Sequence, residues 1–206
     1  MNESAPDVTR IKGIAYHEAG HAVLERVFGT TIVKVAILPV GEVTGGVTAT
    51  RNKDSIALER LGVFHEGTIE RDRYICHEIM AAQAGEAAQE LFCPESVEPY
   101  HARSDRLQIR AYIKQWNRNY AYAGEREAKV EELYQFTRQL LMTPLCIAAV
   151  HALADALIEH KELSGDQANT TILDAIIAEA RRLKLSGKEA PRIECPHCAD
   201  YANPEW

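Results

Sequence analysis

With 206 residues, 46% hydrophobic and 26% charged, the chain has the make-up of one globular domain, alone or with a short appendage. Its net charge of −7 and pI near 5.6 exclude a basic nucleic-acid surface and an anionic-membrane binder. Five cysteines at positions 76, 93, 146, 195 and 198 make no disulfide framework, and Met1 to Arg10 has no apolar signal core, so the expected compartment is cytoplasmic.

Thr9 to Phe28 reads as a helix closed by Gly29. Within it stands His17-Glu18-Ala19-Gly20-His21, an H-E-x-x-H motif. Histidines four apart share one helical face, about one turn apart, where two imidazole nitrogens can bind one Zn²⁺. The glutamate between them can reach a metal-bound water, whose pKa the metal lowers toward about 7. A helix with two exposed histidines needs no metal, so the surroundings decide. Ile14, His17, His21, Leu24 and Phe28 fall along one side, which sets the histidines in an apolar, core-facing stripe. Unpartnered histidines are costly there, and a metal is a natural partner. The motif thus points to metal-assisted hydrolysis, most often of a peptide bond.

Thr31 to Leu38 is β-branched and alternating, with Thr31, Val33, Val35 and Ile37 on one face, and predicts a strand. Pro39 ends it, residues 41–46 turn, and Val47 to Thr50 returns as the second arm of a hairpin. Arg51 to Gly67 reads as a loop with a short helix. Thr68 to Phe92 is a long helix crowded with Ala81, Ala82, Ala84, Gly85, Ala87 and Ala88. Such small residues let two axes approach toward the lower end of about 8–10 Å, and the expected neighbour is the H-E-x-x-H helix.

After a connection over Cys93 to His101, Ser104 is the expected N-cap of a helix from Asp105 to Arg118. Glu125 to Met142 is helical by its apolar repeat, and Pro144 opens the next helix, to Glu162. Ser164 to Gln167 is a capping-box pattern opening a last helix to Leu183. The most apolar stretch, Leu140 to Leu157, is interrupted by Pro144, His151 and Asp155, too short and too broken to span a bilayer. The expected fold is mainly α with a small β-hairpin (α+β), over residues 1–185. Residues 186–206 form a loosely ordered tail. The tail carries a lone C-x-x-C, Cys195 to Cys198, which is half of a zinc-ribbon site and reads most simply as a pair of reduced thiols. Tyr112, Trp116, Tyr120 and Tyr122 form an aromatic cluster suited to core packing or an oligomer contact.

A catalytic zinc takes three protein ligands and keeps one position open. The motif supplies two. Glu70, His77, Glu78, Glu86, Glu90, His101 and Asp105 compete for the third place. Asp105 has one advantage, a helix start that fixes its orientation; yet acidic residues favour first turns through the helix dipole alone. The residues by themselves leave the choice open.

Four blocks of the chain resemble the peptidase domain of FtsH-type ATP-dependent zinc metalloproteases. They are Ala15 to Val23, around the motif; Val33 to Pro39 with Gly46 to Thr48; Met80 to Phe92; and Ser104-Asp105-Arg106-Leu107. Ala152 to Gln167 is similar to the family's closing helices. The resemblance covers roughly residues 9 to 180 and implies a zincin-type helical fold. It implies His17, His21 and Asp105 as Zn²⁺ ligands and Glu18 as general base. It also implies an extended polypeptide substrate beside the strand near Val33–Leu38, read through its backbone and so with broad specificity.

The chain departs from the family in three respects. It shows no transmembrane anchor and no P-loop motif, so ATP-independent cleavage of unfolded chains or flexible termini is expected, or reliance on a separate ATPase partner. Where the family usually has Arg after Ala-Gly and then a Glu-Glu pair, this chain has Glu86 and Gln89-Glu90. The family's hexameric packing implies a homo-oligomer. Competing functions are a catalytically idle binding or regulatory module and a protease dedicated to one regulatory partner.

Overall fold

A computed structural model describes residues 8–37, 46–50, 69–97, 102–116 and 123–188. The expectations for 51–67, Tyr120, Tyr122 and the cysteines of the tail lie outside the described residues. Helix α1 (Val8–Val27) is buried on nearly every side from Gly13 to Leu24. A helix enclosed all round is a core element, and small residues are what permit it here. Helix α2 (Ile69–Phe92) packs along one flank of α1. A Cβ on Gly20 would collide with the backbone carbonyl of Ala84 and stand 2.6 Å from the Ala88 Cβ. The two backbones therefore touch where the small-residue runs meet, as the sequence leads one to expect.

Helix α3 (Arg103–Trp116) lies on α2, as does helix α4 (Ala123–Leu141). Ser104 is the second residue of α3, not its cap, because the helix starts earlier at Arg103. Helix α5 (Pro144–His160) covers the other side of α1. Its proline stands at the first position and Thr143 caps it, accepting from Cys146 N at 3.3 Å. A left-handed Lys161 (φ 65°) ends α5. Helix α6 (Gly165–Leu185) opens on the expected capping box of Ser164 and Gln167, with both reciprocal hydrogen bonds present.

The fold is mainly α with a small antiparallel sheet, strand order β2-β1-β3. Strands β1 (Thr31–Ala36) and β2 (Gly46–Thr50) make the expected hairpin, and β3 (Glu162–Ser164) adds a third strand where the sequence predicts only a helix end at Glu162 and a cap at Ser164. The expected alternation of β1 fails at one point. The register with β2 shifts between Ile32 and Lys34, a bulge that leaves Val33 extra. Ile32, Val35 and Ile37 are buried, while Thr31 and Val33 face out. β1 is also no free edge. It pairs with β2 on one side and with β3 over Lys34–Ala36 on the other. Beyond β3, a Cβ on Gly165 would collide with the carbonyl of Ile32, so the start of α6 closes off the rest of that side.

The main core joins α1, β1, α5 and α6 through buried Val23, Leu24, Val35, Leu153, Leu157 and Ile172. A second cluster, with Ile75, Ile79, Met80, Tyr112, Leu133 and Phe136, joins α2, α3 and α4. Tyr112 of the expected aromatic cluster is thus a core residue. No single helix among the described residues is long and apolar enough to cross a membrane.

Candidate metal centre

The spacing of four on α1 places His17 and His21 on one face, with ring centroids 4.7 Å apart and planes at 81°. Asp105, in the first turn of α3, meets them although it stands 88 positions beyond His17. Its Oδ2 is 3.0 Å from His17 Nε2 and 3.4 Å from His21 Nε2, and the two nitrogens are 3.1 Å apart. Tetrahedral zinc with bonds of about 2.0–2.1 Å needs donor atoms about 3.4 Å apart. The three donors therefore form a triangle close to one face of such a tetrahedron, and this trio can hold a metal ion.

Two further observations fit the donor set to a cation. His21 Nδ1 donates to the Ala81 carbonyl at 2.7 Å, which leaves the lone pair of a neutral ring on Nε2, facing the other donors. Gly85 of α2 lies beneath the pair. A Cβ there would stand 2.6 Å from His17 Nε2 and collide with His21 Nε2. The glycine leaves free the space on which both nitrogens converge. His17 Nδ1 is buried without a hydrogen-bond partner among the described residues, so only His21 has its tautomer fixed this way.

The electrostatics follow from the crowding. Burial lowers the pKa of His21, but the hydrogen bond and charge of Asp105 outweigh it and push His21 up to about 9. Burial works against the Asp105 carboxylate too, and the hydrogen bonds from His17 and His21 hold it well below the usual range. Without a metal, a carboxylate and an imidazolium thus share the site. Glu18 is 6% exposed, and burial pushes its carboxyl up while the two histidines oppose that shift. A carboxyl raised in this way is suited to hold and return a proton.

Four of the other candidates for third ligand are engaged elsewhere. Glu78 accepts from the Tyr112 hydroxyl and Glu86 from Arg106. Glu90 takes both Tyr134 and Arg138. His77 stacks on Phe28 at 4.3 Å, and burial, with Arg73, lowers it to about 4. His101 and the side chain of Glu70 lie outside the described residues. Gln89 holds Ser96 through its amide, at 2.9 Å to the backbone oxygen. The sequence marks Gly85 as one of the small residues that bring the two helices together, but not as the residue beneath the imidazoles, although a glycine inside a helix, costing about 1 kcal/mol against alanine, signals a close approach of some kind. Comparison with protein-family models and with curated proteins finds no match to the chain.

Proposed function

We propose that the chain is a zinc-dependent metalloendopeptidase of the FtsH peptidase type, acting on unfolded or flexible polypeptides without ATP of its own. The convergence of His17, His21 and Asp105 beside the buried carboxyl of Glu18 carries this reading. The residues fit zinc by donor type, spacing and the cleared space at Gly85. Zinc held there supplies Lewis acidity, lowering the pKa of water to about 7 and polarising a peptide carbonyl.

In this reading His17, His21 and Asp105 bind and orient the ion. The Ala81 carbonyl keeps His21 in the tautomer that presents Nε2. Glu18 takes the proton of the attacking water and passes it to the leaving amine, a role its raised pKa favours. An extended substrate pairs with the outer edge of β2, because β1 is paired on both sides. Pairing through the backbone makes specificity broad.

The test is cleavage of an unfolded, fluorescence-quenched protein by the zinc-loaded chain without ATP, beside Glu18→Gln. We expect activity that disappears in the variant while zinc stays bound. Zinc binding with no cleavage in either protein would refute the peptidase reading in favour of a binding module.

A further inference from the structure

We propose that Glu86 and Arg106 form the device that positions Asp105 against the histidines, an inference that rests on the metal-centre reading above. Two of the three ligands ride on α1 and the third on α3, and α3 docks chiefly on α2. The placement of Asp105 relative to His17 and His21 is therefore relayed through α2. Apolar packing does little at this end of α3. From Arg103 to Ala111 only Asp105 and Ile109 are even partly buried, and Leu107 is 57% exposed.

What fixes that end is polar. Arg106 Nη2 donates to Glu86 Oε1 at 2.5 Å. Arg106 follows the third ligand directly, and Glu86 directly follows Gly85, the residue beneath both imidazoles. One ion pair thus ties together the two backbone positions on which the donor spacing depends. Another tie between the helices, Tyr112 to Glu78, lies about two turns away on each, in the antiparallel sense.

The pair differs from a mere charge near the centre in a way an experiment can read. Arg106 is cationic. If only its field mattered, removing it would tighten the binding of a divalent cation. If it positions Asp105, removing it weakens binding. Arg106→Ala, Glu86→Ala and the double variant are titrated with Zn²⁺ against a chromophoric chelator, with Tyr112→Phe as comparison. Hydrogen exchange of the α3 amides is followed in the metal-free proteins.

We expect each single variant to bind Zn²⁺ about three- to tenfold more weakly, between the effect of a half-exposed ion pair and that of a hydrogen bond to a ligand. The double variant loses no more than the weaker single, because the two act as a unit. Tyr112→Phe keeps its affinity, and amides near Asp105 exchange faster in the Glu86 and Arg106 variants. Unchanged or tighter binding by Arg106→Ala, or losses that add in the double variant, would overturn the proposal. Failure of the metal-centre reading shows separately, as an unaltered chain that binds no Zn²⁺.

Discussion

At the scale of single residues, the site depends as much on an absence as on its ligands. Gly85→Ala adds one methyl group, and that methyl collides with both Nε2 atoms. We expect zinc affinity to fall at least about tenfold, as for loss of a ligand-supporting contact, with helix content retained. Titration beside circular dichroism checks both halves of this expectation. Protons provide a second handle. Without a metal, His21 has a pKa of about 9 and is protonated at pH 7. As a ligand it is neutral, so zinc binding at pH 7 releases about one proton, and affinity falls as pH drops below 9. Calorimetry in buffers of different ionisation enthalpy measures that proton, and zero release would contradict the assignment. The raised pKa also stabilises the metal-free fold fully below about pH 6.5, its unfolded value, and that stabilisation is lost as pH rises through about 9. His17, Glu18 and His21 were legible in the sequence because one helical turn contains them all. Asp105 could not be singled out by local rules, since its partners come from a helix docked across α2.

At the scale of elements, the helices were legible because each carries its own period and punctuation. The capping box at Ser164 is the clearest case. Ser164→Ala removes the side-chain acceptor of the Gln167 amide and is expected to cost about 1 kcal/mol in chemical denaturation. Zinc affinity is expected to stay unchanged, because α6 does not carry a ligand. β1 was only half legible. Its β-branched residues announced a strand, but the bulge at Val33 arises in the pairing with β2 and shifts which residues are buried. β3 spans three residues between two helices and has too little length for a pattern to show. Its existence depends on the left-handed turn at Lys161, whose carbonyl accepts from Ile37 N at 2.8 Å.

At the scale of the whole molecule, α1 is held between α2 and α5, so the two histidines are carried by a helix enclosed on nearly every side from Gly13 to Leu24. None of the described helices carries a nucleotide-binding loop motif. On the proposed function, the isolated protein is expected to degrade an unfolded chain and to leave a stably folded one intact, which gel electrophoresis of the paired digests decides. Digestion of the folded substrate would contradict ATP-independent action restricted to open chains. The long separation between His17 and Asp105 has a further consequence. During synthesis the first two ligands emerge well before the third, and the centre closes only when α3 has docked. A protease for unfolded chains would be dangerous to its own nascent copies, which are unfolded chains beside one another on a polysome. On the proposed function, drawing the third donor from 88 positions downstream would keep the protein inert throughout the period when its sister chains are most vulnerable.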